Sequence, residues 1–266
     1  MYGNGREFMI ISVRILLLRM LILLRAIFAL FLVHFVTGLD FEVFRLRFFR
    51  VGGGDIAVFF ENFNNFQVQA YDIVANGLIT KNAAQVKANG VEISGSAKPL
   101  HALTINAAAT FLDAKFKSFP GASCSNSQIA AGLCAANGTF NASGMATPAS
   151  AKFTSSLEGI YEIPLDASHR VLLEGNYYHR SSLNFSPTAS PLTEVGTVDL
   201  LGASIGLEWA DSLKFSVFCK NCTNQLVPTY RALDPTDSAL AHADSQQNTY
   251  GYDSVRTIGA AINAKF

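Results

Sequence analysis

The sequence predicts an all-β fold, a transmembrane antiparallel up-and-down β-barrel of which about eight strands are present. Three observations predict it: apolar residues that recur with a period of two, strands longer than those of soluble sheets, and connections that alternate between short and long. The composition agrees, because 50% of the 266 residues are apolar and 15% are charged, against ~25% charged in typical soluble domains.

The period of two is clearest in three segments of the chain. In residues 201–209, Leu201, Ala203, Ile205, Leu207 and Trp209 share one face, and Gly202, Ser204, Gly206 and Glu208 share the other. Residues 152–163 and 257–266 repeat the pattern. Alternation over this length is typical of strands with one apolar and one polar face.

The same pattern predicts eight strands. They are residues 56–70, 84–97, 102–118, 152–163, 170–184, 197–209, 213–224 and 252–266. Several reach 13 residues or more, whereas soluble strands usually have ~5–6 and a tilted strand crosses a bilayer with ~9–11. Their length therefore favours a membrane barrel.

The connections alternate in length along the chain. Those at 98–101, 164–169 and 210–212 are short, and those at 71–83, 119–151, 185–196 and 225–251 are long. Outer-membrane barrels combine short periplasmic turns with long extracellular loops. In such a barrel the apolar faces point to lipid and aromatic residues form girdles at both interfaces. The candidates are Tyr161, Trp209 and Phe266 at the short-turn end, and Phe111, Phe153 and Tyr177 nearer the long loops.

Residues 1–52 form an unassigned apolar head that differs in composition from the rest. They contain seven Arg, no Lys and eight of the 21 Phe, whereas residues 53–266 contain nine Lys and four Arg. Arg14, Arg19 and Arg25 interrupt the apolar run, and each costs ~2.5–3.5 kcal/mol at the centre of a membrane helix. A shifted reading frame upstream of Gly52 is the preferred interpretation. A signal peptide or membrane anchor is the alternative.

Residues 53–266 resemble the carboxy-terminal part of the barrel of TonB-dependent outer-membrane receptors. The resemblance rests on weak motifs in the family's order. They are DIAVFFENFNNFQVQAYD, NGVEISGSAKP, LTINAAATFLDAKFKSF, FCKNCTNQ and SVRTIGAAINAKF. The chain departs from the family at Val255, where Pro is usual, and at Cys222, where Leu is usual. Neither departure breaks the period of two.

The resemblance implies the last eight strands of a 22-stranded barrel in the bacterial outer membrane. Full-length members import a scarce nutrient, such as a ferric siderophore or cobalamin, with energy from a TonB protein. Residues 1–52 match neither the plug domain nor the energy-coupling box of the family. The expectation is therefore a fragment that does not transport by itself. Its expected partners are outer-membrane lipid, the barrel-assembly machinery and a small-molecule nutrient, with TonB only for the full-length family.

The same resemblance supplies the candidate sites. It places the 119–151 loop outside the cell, where disulfides persist, so a Cys124–Cys134 bridge is expected. It identifies Phe266 as the signal read by the assembly machinery. It makes the 119–151 and 225–251 loops the expected contributors to nutrient binding. Cys219 and Cys222 fall on a predicted strand, which directs their side chains to opposite faces. They are interpreted as structural residues rather than a metal or redox pair.

Other functions are disfavoured, and two alternative folds stay open. Zero formal net charge argues against nucleic-acid binding, and high hydrophobicity argues against disorder. The sequence shows no nucleophile–base pair, so neither an enzyme nor a cofactor or metal site is predicted. The first alternative is a complete small eight-stranded outer-membrane barrel acting as a pore or anchor. The second is a soluble lipocalin-like barrel with its apolar faces inward.

Overall fold

The computed structural model describes residues 43–49, 52–72, 77–82, 85–187, 190–210, 212–234 and 244–265. All of them belong to one compact unit, Val43–Phe266. Residues 1–42 lie outside the described ranges. The interpretation of the head as the product of a shifted frame therefore stays a prediction. Phe266, the expected assembly signal, also lies outside them.

One antiparallel sheet of nine strands dominates the unit, and each strand pairs with its neighbours in chain order. This confirms the predicted all-β, up-and-down class. The strands are β1 (Val43–Phe49), β2 (Gly52–Asn64), β3 (Gln85–Leu100), β4 (Leu103–Ser118), β5 (Phe153–Pro164), β6 (His169–Arg180), β7 (Val198–Trp209), β8 (Leu213–Lys220) and β9 (Thr257–Ala264).

All eight predicted strands are present in the sheet, and β1 is an additional strand. It occupies residues that the sequence analysis had assigned to the head. It pairs with β2 from Val43↔Phe59 to Phe49↔Gly53. The β1–β2 connection is short, so the alternation of short and long connections extends by one more strand.

Five strand boundaries differ from the predicted ones by four residues or more. Strands β2, β6 and β8 end earlier, β9 begins later, and β2 begins earlier, at Gly52. Asn65 has a φ of 56° and separates β2 from a hairpin of Gln67–Asp72 and Gly77–Asn82. Asn221 has a φ of 47°, so β8 ends at Lys220. Strand β6 ends at Arg180. A 3₁₀ turn at Tyr252–Ser254 precedes β9, which begins at Thr257.

The register of the sheet aligns apolar and aromatic side chains of neighbouring strands in rows. Tyr161 faces Leu173, Leu173 faces Ile205, and Ile205 faces Val217. Cross-strand pairs of aromatic and branched side chains contribute ~0.2–1 kcal/mol each. Since a shift of one residue would move every side chain to the other face, these rows hold the register of β5 to β8.

The long connections carry small structures of their own. Ala122–Ser123 pairs with Thr139–Phe140, Leu183–Asn184 with Glu194–Val195, and Tyr230–Leu233 with Gln246–Thr249. A short helix, α1 (Asn126–Ala130), lies in the first of them. Within the described ranges, none of the helices reaches the length and apolarity that crossing a bilayer would take.

Candidate functional site

The two faces of the sheet differ in chemistry and in exposure. The apolar face carries every second residue of each strand, in register with Leu201, Ala203, Ile205, Leu207 and Trp209. On it Ile205 is 54% exposed, Trp209 55% and Ile258 70%. In β7 the alternate residues Gly202 and Gly206 are buried. A soluble sheet would bury the apolar face instead, so this arrangement contradicts the lipocalin-like alternative.

The opposite, polar face holds hydrogen-bonded charged groups. Arg170 donates from Nε and Nη2 to the two carboxylate oxygens of Glu208, at 3.0 and 2.9 Å. Glu174 accepts from Ser204 Oγ and from Lys214 Nζ, both at 2.9 Å. The Arg170–Glu208 contact is the two-point geometry that suits guanidinium and carboxylate. Ion pairs and hydroxyl contacts of this kind make the polar face suited to water or to another polar segment.

A groove of about 790 Å³ runs along this polar face. Asn106 lies in its lining and donates to Glu158 Oε2 at 2.8 Å. Small residues dominate the rest of the lining, among them Gly53, Gly95, Ser94, Ser96 and Ser156. Small side chains leave the strand backbones accessible, so the groove can accept a bulky partner close to the sheet.

Aromatic side chains lie at the edges of the apolar face. Phe111 and Phe153 pack with ring centroids 4.6 Å apart, at the long-loop edge. At the short-turn edge Trp209 packs on His169 at 4.6 Å. His169 Nδ1 lies 2.8 Å from Asp166 Oδ1. A hydrogen bond from the Ser168 backbone and one from the His169 side chain hold the pKa of the Asp166 carboxyl below its ordinary value. Phe111, Phe153 and Trp209 therefore lie at the edges predicted for the girdles, whereas Tyr161 faces Leu173 in the row that contains Ile205. Phe266 lies outside the described residues.

The 119–151 loop folds back on the sheet and forms a buried apolar core. Phe116 and Phe119 are almost fully buried and pack at 5.0 Å between ring centroids. Val86 and Ala142 belong to the same core. The Phe119 amide donates to Ser143 Oγ at 2.9 Å, and the Gly144 amide donates to the Phe116 carbonyl at 2.7 Å. These contacts hold the loop in one conformation.

Within this loop the structure joins Cys124 and Cys134 in a disulfide, with Cα atoms 6.4 Å apart. That separation lies within the ~4.4–6.8 Å that a disulfide requires. Helix α1 lies between the two cysteines. Its amino end has a capping box, in which Ser125 and Gln128 each accept from the other's backbone amide. The motif Ser-x-x-Gln could have revealed this helix from the sequence.

Asp244 connects the 225–251 loop to the 119–151 loop. Its two carboxylate oxygens accept from the backbone amides of Asn126 and Ser127, each at 2.9 Å. Partial burial raises the pKa of Asp244, but these hydrogen bonds outweigh it and hold the pKa below its ordinary value. Asp244 could not be named from the sequence, because no local motif links it to residues 117 and 118 positions away.

The 181–197 loop contacts both of its neighbours. The Ala149 amide donates to the Asn184 carbonyl at 2.8 Å, which ties it to the 119–151 loop. Arg231 Nη1 donates to the Glu194 carbonyl at 2.6 Å, and the rings of Phe185 and Tyr230 lie 5.4 Å apart. The three loops therefore form one hydrogen-bonded assembly above the long-loop edge, which we call the loop assembly.

Three Asn-x-Ser/Thr triplets, which begin at Asn137, Asn141 and Asn184, organise turns in this assembly. Asn137 Oδ1 accepts from Thr139 Oγ1 at 2.7 Å, and Asn141 Oδ1 accepts from Ser143 Oγ at 2.6 Å. Asn184 Oδ1 accepts from the Ser186 amide at 2.8 Å. Asparagine side chains often fix turns by bonding to residues two positions on. The triplets have a structural explanation here.

The interpretation of Cys219 and Cys222 was wrong in its geometry. Strand β8 ends at Lys220 and Asn221 adopts a left-handed conformation, so Cys222 turns back towards Cys219. The structure joins the two in a disulfide, with Cα atoms 5.6 Å apart. Side chains alternate between two faces only while a strand continues, and this strand ends before Cys222. No cluster of three or more potential metal ligands occurs among the described residues.

Comparison with known proteins shows that solved structures of siderophore receptors share this fold. The structure is similar to the ferric yersiniabactin uptake receptor FyuA from Yersinia pestis, with a TM-score of 0.59 and 14% identity over 84% of this chain. It is also similar to two proteins from Acinetobacter baumannii. They are the siderophore receptor PiuA, with a TM-score of 0.55, 13% identity and 83% of this chain, and the ferric preacinetobactin receptor BauA, with 0.52, 14% and 83%.

The chain spans 28–29% of the length of these three receptors. No family model and no curated protein sequence matches it. At this level of identity the likeness concerns the fold. The resemblance to TonB-dependent receptors, first drawn from short motifs, is thus confirmed as a likeness of fold to a segment of such barrels.

Proposed function

We propose that this chain is a carboxy-terminal segment of the barrel of a TonB-dependent outer-membrane receptor. Such a receptor imports a scarce nutrient, with a ferric siderophore or cobalamin as the candidates. In this proposal the segment contributes part of the lipid-facing wall and part of the extracellular nutrient site. It lies in the bacterial outer membrane, and it is not an enzyme.

The observation that carries the proposal is the exposure of the apolar face of the sheet. A row such as Tyr161, Leu173, Ile205 and Val217 runs across four strands, and each of these side chains is exposed by 38–54%. An exposed apolar surface larger than a few hundred Å² is costly in water. Lipid removes that cost, while the polar face keeps its ion pairs away from the hydrocarbon.

The proposal that the segment does not transport alone rests on the edges of the sheet. Strands β1 and β9 lie at its two edges, and unpaired strand edges are unfavourable in a bilayer. Similar receptors are almost three times as long as this chain. Additional strands would complete the wall, and a plug domain and a TonB partner would supply gating and energy.

The complete small barrel is the competing function. It would need β1 and β9, or β2 and β9, to pair directly and close the sheet. In the sheet β1 pairs with β2 and β9 pairs with β8, and β1 and β9 are the edge strands. The two edge strands favour the segment over the small barrel.

The nutrient site is proposed to lie in the loop assembly. Its loops are fixed by a buried core, by Asp244 and by Arg231, so they present a defined surface above the groove. Lipid and the barrel-assembly machinery are the partners proposed for the segment itself. TonB is proposed as a partner for the full-length receptor alone.

The test is to express the full chain in a bacterium that lacks its own siderophore receptors. We expect the protein in the outer-membrane fraction after a urea wash. We also expect no rescue of growth on a ferric siderophore by the chain alone. Recovery as a monodisperse protein in detergent-free buffer would contradict the membrane location. Rescue of growth would contradict the need for further strands.

A further inference from the structure

We propose that the Cys219–Cys222 disulfide is a site of thiol–disulfide exchange, and that its reduction by a small thiol releases the start of the 225–251 loop. We call residues 219–225 the cysteine turn. The proposal adds a redox response to the loop assembly, which is the nutrient site in the proposed function. It depends on the contacts of the cysteine turn and not on the identity of the nutrient.

Strand β8 stops while its neighbour β7 continues. The last pair between the two strands is Ala203↔Cys219, whereas β7 extends back to Val198. Residues 198–202 therefore lie beyond the paired register, although the Cys222 amide still donates to the Leu201 carbonyl at 2.7 Å. The sequence pattern predicts a strand as far as residue 224. The backbone of β7 thus offers room for a longer β8.

Side chains of the cysteine turn occupy backbone groups of the neighbouring strands that a longer β8 could use. Gln225 Oε1 accepts from the Asp199 amide at 2.7 Å, and Gln225 Nε2 donates to the Thr197 carbonyl at 3.0 Å. On the β9 side, Asn224 Oδ1 accepts from the Arg256 amide at 3.0 Å. An amide side chain has the same donor and acceptor groups as a peptide. The cysteine turn therefore substitutes for an extension of β8 on both sides.

The disulfide keeps the turn closed. Its two Cα atoms lie 5.6 Å apart, whereas three residues of extended strand span about 10 Å. Strand β8 therefore cannot extend through Cys222 while the bridge is intact. Asn221 and Asn224 hold left-handed backbone, with φ of 47° and 55°, a conformation that is unfavourable for residues with a side chain. Opening the bridge would remove the constraint that maintains this conformation.

The Cys219–Cys222 bridge is more accessible than the Cys124–Cys134 bridge. Both of its cysteines are half-buried, whereas Cys124 is 3% exposed. Thiol–disulfide exchange depends on access to a sulfur atom. The two cysteines are also 3 positions apart in sequence rather than 10, so their bridge constrains the unfolded chain less. The sheet can therefore stay folded when this bridge opens.

The exchange step consumes two thiol groups. A thiolate attacks one cysteine sulfur and breaks the S–S bond, which forms a mixed disulfide and releases the other cysteine as a thiolate that takes up a proton. A second thiol group then attacks the mixed disulfide and releases the remaining cysteine. Two electrons and two protons pass to the cysteine pair, and the reagent leaves as a disulfide. Low-molecular-weight thiols and dithiols are the class of reductant that fits this step.

Extension of β8 would move the start of the 225–251 loop. In the cysteine turn the Gln225 amide donates to Asn221 Oδ1 at 3.0 Å, whereas four extended residues span about 14 Å at ~3.4 Å per residue. Arg231 follows in the same loop and donates to the Glu194 carbonyl at 2.6 Å. A shift of this size is expected to loosen that contact, and with it the attachment of this loop to the loop assembly.

The first test compares how readily the two bridges open in the full chain, folded in detergent micelles. Dithiothreitol, a small uncharged dithiol, is titrated from micromolar to millimolar concentration. Free thiols are trapped with N-ethylmaleimide and assigned by peptide mass spectrometry. We expect Cys219 and Cys222 to be trapped at a dithiothreitol concentration roughly tenfold lower than Cys124 and Cys134. Opening of both bridges together, or of Cys124–Cys134 first, would overturn the proposal.

The second test is hydrogen exchange of backbone amides, read by mass spectrometry in peptides that cover residues 220–234. The reduced chain and the C219S/C222S variant should exchange more slowly at 222–224, where β8 extends. They should exchange roughly fivefold faster at 226–234, where the loop is released. The matched control C124S/C134S removes the other bridge and should leave exchange at 222–224 unchanged.

Unchanged exchange after reduction would overturn the proposal, and so would faster exchange at 222–224. Both tests are made on the folded chain without any nutrient, so a negative result leaves the proposed function standing. Absence of the chain from the outer membrane would instead overturn the proposed function and leave these two results as they are.

Discussion

The replacement of Ile205 by lysine tests whether the apolar face meets lipid. Ile205 lies four residues from Leu201 and four from Trp209 on the same face of β7. At ~3.4 Å per residue and a tilt of ~40°, it is about 10 Å from each end of the apolar run. An outward apolar band is ~25 Å tall, so Ile205 lies near the middle of the bilayer.

The expected cost follows from this depth. A lysine on the lipid face costs about 2–4 kcal/mol at the midplane and about 0–1 kcal/mol near the interface. The midplane cost lowers the ratio of folded to unfolded protein roughly 30- to 700-fold. An exposed position in water would instead change the free energy of unfolding by about 0.5 kcal/mol or less. The two environments therefore predict clearly different results for the same substitution.

The assay is equilibrium folding of the full chain into lipid vesicles from guanidinium. Trp209 is the single tryptophan of the chain and lies on the apolar face, so its fluorescence reports insertion. The matched control is Leu213→Lys, because Leu213 faces Trp209 at the short-turn edge. We expect a large loss of folding free energy for Ile205→Lys and a small loss for Leu213→Lys. Equal, small losses at both positions would refute the assignment of the apolar face to lipid.

Three further predictions concern the loops and the sheet. Peptide mapping without reductant should recover Cys124 linked to Cys134, and recovery of both as free thiols would contradict the bridge. The Cys134→Ser substitution should lower the stability of the loop by about 2–3 kcal/mol. The Asp244 carboxylate has a lowered pKa, so its stabilisation is complete above the ordinary value of 3.8 and is lost as pH falls through the lower folded pKa. Asp244→Asn should remove this pH dependence, measured as loop proteolysis by pepsin between pH 2 and 5. Gly90→Ala would place a Cβ 2.6 Å from the Phe111 carbonyl oxygen and against Phe59, whereas a Cβ at Gly159 would meet open space. Unfolding titrations should therefore show a free energy of unfolding about 1–3 kcal/mol lower for Gly90→Ala. The same titrations should show little change for Gly159→Ala.

The positions of the loop contacts could not be predicted, because they join residues far apart in sequence. Asp244 caps α1 across 118 positions, and Arg231 reaches Glu194 across 37. Hydrophobic periodicity carries no information about such pairs. The turn asparagines Asn65 and Asn221 were missed for a different reason. Both adopt the left-handed conformation that ends a strand, and a period-of-two pattern carries no information about backbone φ.

The sequence by itself determined the class of fold and the order of the strands. Side chains in a strand alternate strictly between two faces, so the rows that contain Ile205 and Leu207 are fixed once the strand is recognised. The lengths of the connections then fix which strand ends meet. Both properties are local, and local patterns can be read along one chain.

The tertiary structure decided which face is exposed and how the long loops assemble. The apolar pattern of β7 fits a lipid-facing wall and a soluble core equally well. The structure separates them, because Gly202 and Gly206 are buried while Ile205 and Trp209 are exposed. It also brings Phe116, Phe119 and Ala142 into one core. Burial depends on which segments pack together, and that is a property of the whole folded chain rather than of any window of its sequence.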